Sequence, residues 1–175
     1  MDSSAYHLIK GLRVTRSFLP RALDRADLNA ILEAGRWTGS SKNRQGWELV
    51  VMEDAAARQR LATAGDFADP VRNAAAAVAL VKTEEGNDFD IGRLAQNLML
   101  AAATRGVGSC PVTLHHSDII RSVLDLPADR SCRYAVALGY PDLVAEEAGR
   151  ALRRAAGFWG RKPTDEVIKR ETAPE

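Results

Sequence analysis

The strongest secondary-structure signal in the chain lies in residues 91–104, which read IGRLAQNLMLAAAT. Leu94, Leu98 and Ala102 recur at helical spacing on one face, and further apolar residues widen that face beyond a single stripe. A helix with so broad an apolar surface needs cover on most sides. The segment therefore predicts an apolar helix that is covered nearly all round.

Shorter segments of both types surround this helix. Alternating or continuous apolar runs bounded by turn residues predict strands over residues 47–52, 74–81, 109–114 and 133–138. Helical spacing predicts helices over residues 23–37, 55–64 and 117–126, the last capped by Ser117 and closed by Pro127. The elements are unequal in length and no regular βαβ unit recurs, which favours an α+β layer structure over a doubly wound sheet.

Composition limits the class of protein. The 175 residues include 24 Lys and Arg against 23 Asp and Glu, for a net charge of +1, and 46% are hydrophobic. This is the profile of one globular domain over residues 1–175, without the global positive field expected of a nucleic-acid-binding protein. No apolar run reaches the roughly 20 residues that cross a bilayer, and the first residues lack a signal-peptide pattern. We expect a cytoplasmic protein with no membrane or nucleic-acid partner.

Two polar segments are candidates for ligand binding. Arg13 and Arg16 are three residues apart, so a helical or turn-like segment would place both guanidinium groups on one face, where they could bind a phosphate or an electron-rich ring. The alternative is a solvated basic end of a helix. Residues 39–45, GSSKNRQ, contain no apolar member and form either a binding loop or an ordinary polar connection.

Other motifs have weaker functional interpretations. The glycines of residues 106–108 follow a helix and precede a strand, which is the wrong order for a dinucleotide-binding loop. Cys110 with His115 could act as a nucleophile, but a buried thiol is favoured, and no second Cys/His cluster completes a metal site with His116. The basic and aromatic residues of 150–162 could bind single-stranded nucleic acid or form an amphipathic tail that docks on a subunit.

Taken in order, several short motifs have a distinctive arrangement. They are Arg13-x-x-Arg16-x-Phe18, Ser40-Ser41-x-Asn43-x-Gln45-x-Trp47, Asp90-Ile91-Gly92, Gly106-Val107-Gly108-Ser109-Cys110, Leu138-Gly139-Tyr140-Pro141 and Gly160-Arg161-Lys162-Pro163. From about residue 8 to residue 169, this order resembles the FMN-dependent nitroreductase family. The resemblance implies an α+β fold with a central, mostly antiparallel sheet flanked by helices. It also implies an intertwined homodimer with FMN at each interface, a C-terminal tail on the partner subunit, and the 91–104 helix at the subunit contact.

The resemblance also implies which residues surround FMN. They are Arg13, Arg16, Ser40, Ser41, Asn43, Gln45, Pro111, Val112, Thr113, Leu114, Arg161 and Lys162. The two early arginines would approach the phosphate and the pyrimidine edge of the ring, and the late basic pair would reach the phosphate. The loop residues would contact ribityl and ring atoms, partly from the partner chain. Residues 111–114 would lie along the flavin, where the main-chain N–H of Thr113 or Leu114 would face the ring N5.

The activity implied is that of an FMN-dependent oxidoreductase. NAD(P)H would deliver hydride to the flavin, and a nitroaromatic, a quinone or a similar small acceptor would then take the electrons in a ping-pong cycle. No side chain is required as acid, nucleophile or metal ligand. Leu12 and Val14 stand where many relatives have Arg and Ser, and Gly39 and Gly46 stand where they have Pro, which predicts weaker FMN binding and a more mobile loop.

Other activities remain open at this stage. The chain could bind or sequester flavin without turnover, or could use the same fold for reductive dehalogenation or flavin breakdown. The physiological acceptor, the choice between NADH and NADPH, and the use of a deazaflavin are also left open by these residues.

Overall fold

The computed structural model describes residues 4–158 and 160–171. Its helices are α1 (Ser4–Gly11), α2 (Arg25–Arg36), α3 (Ala55–Ala62), α4 (Asp69–Asn73), α5 (Asp88–Thr104), α6 (Ser117–Leu124), α7 (Leu143–Ala155) and α8 (Thr164–Val167), with one 3₁₀ turn at Ser41–Asn43. Its strands are β1 (Trp47–Met52), β2 (Ala76–Lys82), β3 (Gly108–Thr113) and β4 (Ser131–Gly139). The α+β fold and all four strands predicted from the sequence are therefore confirmed.

The strands form one antiparallel sheet in the order β1-β2-β4-β3. The two inner strands, β2 and β4, are joined to neighbours on both sides, so their backbone hydrogen bonds are made within the sheet. β3 lies at one edge, with Thr113 opposite Tyr134. Because β3 lies at the edge, one row of its backbone N–H and C=O groups points away from the sheet.

Helices cover both faces of the sheet, and the alternation of β2 shows how. Ala77, Ala79 and Val81 pack into an apolar cluster with residues of α3, α4 and α6. Val78 and Leu80 point to the opposite face and pack with residues of α2 and α5. Successive strand residues face opposite sides, so an all-apolar strand must be buried on both. The buried strand predicted from this run is confirmed.

The long apolar helix α5 is only partly covered within one chain. Its face toward α2 and the sheet carries Leu94 and Leu98, both fully buried. Gly92 and Gln96 are exposed, and Leu100 is half-buried. The expectation that this helix is covered nearly all round is therefore not met by the single chain.

Several local predictions are corrected by the structure. Residues 12–17 are not helical, so Arg13 and Arg16 are not placed on one face by a helical turn. Ser117 is the first residue of α6 rather than its cap, and His116, which precedes it, makes no capping hydrogen bond with its side chain. The helix ends at Leu124 because Asp125 adopts a left-handed conformation, φ 49°, before Pro127 is reached.

Four helices have no counterpart among the sequence predictions: α1, α4, α7 and α8. Of these, α7 matters most for the site, because it occupies part of the segment that the sequence presents as a basic patch. Trp159, one of the two aromatic residues of that patch, lies outside the described residues, as do residues 1–3 and 172–175.

Candidate functional site

Arginines from distant parts of the chain line one cleft of about 320 Å³. The cleft is lined by Leu12, Arg13, Val14, Arg16, Arg150, Arg153, Phe158, Gly160 and Arg161. Three of these cations, Arg13, Arg16 and Arg161, were predicted as phosphate ligands, and the structure brings them together although they come from opposite ends of the sequence. Lys162 follows Arg161 and is exposed. A cleft with this charge favours a multiply charged anion, since charge-assisted hydrogen bonds are strong.

The segment that carries Arg13 and Arg16 is held by β3 and by α7. The Thr15 N–H donates to the Ser109 carbonyl at 2.8 Å, using the outward-facing backbone of the edge strand. Gly108 permits this approach, because an ideal Cβ there would lie 2.7 Å from the Thr15 Oγ1. Arg13 also anchors itself locally, since its Nη1 donates to the Lys10 carbonyl at 2.7 Å.

Glu146 on α7 is a buried residue of the site that sequence reasoning missed. Its side chain is 2% exposed, and its Oε1 accepts hydrogen bonds from the main-chain N–H groups of Arg16 and of Ser17, the latter at 2.7 Å. Its Oε2 is buried without a hydrogen-bond partner among the described residues, and the Arg153 Nη2 lies 3.7 Å away. Arg153 lies seven residues, or about two helical turns, after Glu146, and this separation is too long to identify an ion pair from the sequence.

A second cleft, of about 490 Å³, opens beside β3. Its lining includes Arg16, Cys110, Pro111, Val112 and Thr113, together with residues of the 66–70 segment. Arg16 therefore borders both this cleft and the arginine-lined cleft. The volume is in the range of pockets that hold cofactors, and Pro111 and Thr113 were both predicted to lie along a flavin.

The strand register distinguishes the two candidate N–H groups at the end of β3. The Leu114 N–H donates to the Arg133 carbonyl at 2.8 Å, so it is used within the protein, and the Leu114 side chain is 2% exposed. Hydrogen-bonding direction alternates along an antiparallel strand. The Thr113 N–H, one residue earlier, therefore points away from β4 and toward the free edge.

The thiol of Cys110 lies beneath the same cleft but is not suited to nucleophilic chemistry. It is 4% exposed, and burial raises its pKa to about 11, although nearby Arg16 acts in the opposite direction. Burial raises the pKa of Cys132 to about 11 as well. Because thiolates are the reactive form of cysteine, the interpretation of Cys110 as a buried thiol is confirmed.

His115 and His116 contact the 64–66 loop next to this cleft. Both main-chain N–H groups donate to the Ala64 carbonyl, at 2.7 and 3.0 Å. The His115 Nδ1 accepts from the Asp66 N–H at 3.2 Å, and the His116 Nε2 lies 2.9 Å from the Asp66 Oδ1. Within residues 4–158 and 160–171, no group of three or more His, Cys, Asp or Glu side chains is arranged to hold a metal ion.

The predicted loop of residues 39–45 has an unusual backbone. Asn43 and Gln45 have positive φ values of 53° and 49°, and Lys42 has 53°, a conformation that is uncommon for residues other than glycine. The Ser40 Oγ accepts from the Gln45 N–H at 2.8 Å, which closes the turn. Backbone conformations of this kind concentrate at functional sites.

Within one chain, this loop does not reach the arginine-lined cleft. It precedes β1, at the opposite edge of the sheet from β3. Three strand spacings separate β1 from β3, a width of about 14 Å. The structure thus groups Arg13, Arg16, Pro111, Thr113 and Arg161 around two adjoining clefts, and leaves Ser40, Ser41, Asn43 and Gln45 at the far edge of the sheet.

The residues around the two clefts suit a flavin phosphate ester. Guanidinium groups converge where the anionic end would bind, and Arg16 connects them to a cleft of sufficient volume for a planar ring. The Thr113 N–H, for which the described residues provide no hydrogen-bond partner, would supply a donor at the ring end. Cations, a cleft and an outward-facing main-chain N–H thus lie along one path from Arg161 to Thr113.

Comparison with known proteins gives the class to which this fold and site belong. The sequence profile of the Nitroreductase family matches residues 9–84 and 68–140, and the chain belongs to that family. It is similar to Nitroreductase NfnB of Mycolicibacterium smegmatis, with 26% identity over 213 aligned positions that span 89% of this chain and 90% of the relative. It is also similar to a protein of Archaeoglobus fulgidus provisionally named NADH dehydrogenase/NAD(P)H nitroreductase, 25% identical over 140 residues, 74% of this chain and 80% of the relative.

Solved structures agree with this assignment. An FMN-dependent nitroreductase from Clostridium difficile R20291 superposes with a TM-score of 0.70 at 26% identity, covering 77% of this chain and 86% of that one. A nitroreductase family protein from Clostridium difficile 630 superposes with a TM-score of 0.78 over 95% of this chain and 97% of its own, at 22% identity. Among the described residues, no helix combines the length and apolar character needed to cross a membrane.

Proposed function

We propose that this chain is an FMN-dependent NAD(P)H oxidoreductase that works as a homodimer. The observation that carries the proposal is the position of Arg16, which borders both the arginine-lined cleft and the cleft beside β3. One side chain is thus positioned to contact both the anionic and the ring portions of a bound flavin. The family assignment, and the FMN dependence given in the name of a relative of known structure, support the same cofactor.

The chain's own residues then have distinct roles. Arg13 and Arg161, followed by Lys162, bind the phosphate, since several guanidinium groups around one dianion give strong charge-assisted hydrogen bonds. Pro111 and Thr113 would lie along the ring, and the N–H of Thr113, which points away from β4, would be the donor to N5. Of the two alternatives at this position, Leu114 is the less suitable because its N–H is already used by Arg133.

FMN, when bound, would supply hydride and electron transfer between NAD(P)H and a small acceptor, such as a nitroaromatic or a quinone. Arg16 stabilises the negative charge that the ring gains, because a fixed cation near a developing charge lowers the cost of forming it. The cycle requires no acid or nucleophile from the chain, in accord with the raised pKa of the Cys110 thiol.

A second copy of the chain completes the site. Ser40, Ser41, Asn43 and Gln45 lie across the sheet from the clefts of their own chain, so they reach the flavin from the partner. The half-covered surface of α5 around Leu100 is available for such a contact. One domain over residues 1–175, with its C-terminal tail on the partner, remains part of this proposal, as does a cytoplasmic location.

An absorbance experiment tests the cofactor and the reaction. The purified protein, titrated with FMN, should show flavin absorbance that comigrates with a dimer in size-exclusion chromatography with light scattering. Anaerobic NADH or NADPH should bleach that absorbance, and a quinone or nitroaromatic should restore it. A protein that binds no FMN on titration would refute the proposal.

A second candidate function, flavin binding without turnover, is favoured by the apolar residues Leu12 and Val14 in the arginine-lined cleft. They occupy positions where a cation and a hydroxyl would otherwise strengthen the hold on the phosphate. In that case FMN would bind, but neither NADH nor NADPH would bleach it.

A further inference from the structure

We infer that α7 supplies two phosphate-binding arginines, Arg150 and Arg153. They replace the Arg and Ser side chains that many relatives have where this chain has Leu12 and Val14. The inference rests on the proposed function, because it concerns the phosphate of the same FMN. The starting observation is that Leu12, Val14, Arg150 and Arg153 line one cleft. The apolar positions and the additional cations therefore face the same space.

Helical spacing places both arginines on the same side of α7. Positions three apart on a helix are neighbours on its surface, and both side chains are 31% exposed, so they lie partly within the protein. Arg154, the next residue, is 50% exposed and does not line the cleft. Two of the three arginines at the end of α7, Arg150 and Arg153, thus line the cleft.

Arg153 is held in place by two features of its surroundings. Its guanidinium folds back over Gly149, where an ideal Cβ would lie 3.1 Å from the Arg153 Nη1. Its Nη2 lies 3.7 Å from the buried Oε2 of Glu146, an oxygen that has no hydrogen-bond partner in the described part of the chain. Glu146 orients Arg153 and, through its Oε1, also fixes the backbone of Arg16. Glu146 is therefore a positioning residue for two of the cations.

The cleft keeps a positive excess after its acidic neighbours are counted. Glu146 faces Arg153, and Glu147 lies 3.8 Å from Arg150. Arg13, Arg16 and Arg161 remain in addition to these two pairs. A phosphate monoester dianion can therefore bind with an excess of positive charge around it, and α7 adds donors that the 12–16 segment lacks.

Two cofactors of this proposed enzyme carry phosphate monoesters: FMN, on its ribityl chain, and NADPH, on its 2′-hydroxyl. We assign the FMN phosphate, because Arg16 links the cleft to the ring-sized cleft beside β3. The experiment separates the two by comparing FMN with riboflavin, and NADPH with NADH.

The test measures the Kd of the full chain for FMN and for riboflavin by fluorescence titration, in Arg150→Ala, Arg153→Ala and the double variant. Each single variant should raise the FMN Kd by about tenfold or more, as expected for loss of a hydrogen bond to a charged group. The riboflavin Kd should stay within about twofold of the wild-type value. Arg154→Ala, which removes the same charge from the same helix outside the cleft, is the matched control and should leave the FMN Kd unchanged.

Arg153→Lys covers the case in which Arg153→Ala leaves Glu146 uncompensated and fails to fold. It keeps the positive charge beside Glu146 but loses the planar fork, so it should weaken FMN binding and not riboflavin binding. Arg150→Ala tests the inference independently of Glu146, because Arg150 lies beside Glu147.

Three results would overturn the inference. The first is an FMN Kd in the double variant equal to that of wild type. The second is an equal loss of FMN and riboflavin binding, which would mean general damage to the site. The third is an unchanged FMN Kd with a raised KM for NADPH but not for NADH, which would assign the cleft to the nicotinamide donor. In each of these the wild type still binds FMN, so the proposed function survives; a wild type that binds no FMN would refute that function itself.

Discussion

Replacing Glu146 with Ala should destabilise the protein strongly, because this carboxylate is buried and holds the segment of Arg16. Its Oε1 accepts from two main-chain N–H groups, those of Arg16 and Ser17, and its Oε2 lies 3.7 Å from Arg153. A hydrogen bond to a charged group contributes about 1.5–3 kcal/mol, and removing one partner of a buried ion pair costs about 3–5 kcal/mol. Removing the carboxylate also removes the cost of burying Oε2, an oxygen that accepts no hydrogen bond from the described residues, and this gain offsets part of the loss.

We therefore expect Glu146→Ala to lower the free energy of unfolding by about 3 kcal/mol. For a domain of this size, that corresponds to a fall in Tm of about 6–12 °C. Urea denaturation followed by circular dichroism measures the first quantity, with an unchanged slope against urea showing that the unfolded state is the same. Glu146→Gln keeps one oxygen that can accept from the amides and should lose about half as much.

The neighbouring Glu147 supplies the matched control. Its side chain is 60% exposed and lies 3.8 Å from both Arg150 and Arg154; since such solvent-exposed ion pairs contribute little, Glu147→Ala should change the free energy of unfolding by less than about 0.5 kcal/mol. If Glu146→Ala and Glu147→Ala have equal effects, or if Glu146→Ala loses less than about 1 kcal/mol, then Glu146 does not hold the 16–17 segment as the hydrogen bonds indicate.

Three further outcomes are expected. Gly46→Ala should lower the free energy of unfolding by about 1–3 kcal/mol in the same urea assay, because the new Cβ would lie 2.5 Å from the Gly86 backbone, whereas Gly11→Ala meets nothing within 4 Å and should be nearly neutral; equal effects would contradict this. Cys110 and Cys132, each with a pKa raised from 9.0 to about 11, stay protonated when folded but ionise when unfolded between those pH values, so stability should fall as pH rises from 9 to 11 by up to about 3 kcal/mol for each thiol, and Cys110→Ala should remove about half of that slope. Arg16→Ala should weaken FMN binding or slow the reduction of FMN by NAD(P)H, by a factor equivalent to about 1.5–3 kcal/mol. Unchanged FMN binding and turnover would show that Arg16 does not contact the flavin.

The strands and the main helices could be predicted from the sequence because buried elements carry a pattern of apolar residues within a short segment. The run of β2 is apolar at every position from Ala76 to Val81, and the strand is buried on both faces. The helix α7 was missed because Glu146 is the one buried residue among the described residues of this helix, so it has no buried apolar face like that of α5. Its capping signal was present, because the Asp142 side chain accepts from the main-chain N–H groups of Val144 and Ala145.

The site was predictable only in part. The order of the motifs identified Arg13, Arg16 and Arg161 as a group, and the structure places all three at one cleft. The same order identified the loop with Ser40 and Gln45, which lies at the far edge of the sheet. The resemblance implied that this loop acts partly from a partner chain, but motif order alone gives no distance between the loop and the arginine-lined cleft, which depends on the strand order of the sheet.

By itself, the sequence determined which segments form strands and the main helices, and which strand residues face the core. The hydrophobic periods of helices and strands are local properties that short segments show. Only the tertiary structure decided that the N–H of Thr113, and not that of Leu114, points to the open edge of the sheet, because hydrogen-bonding direction depends on the register of β3 against β4. It alone placed Glu146 under the backbone of Arg16, and Arg150 and Arg153 beside it. These contacts join residues about 130 positions apart, and such proximity is set by how the layers pack and not by any pattern within a short segment.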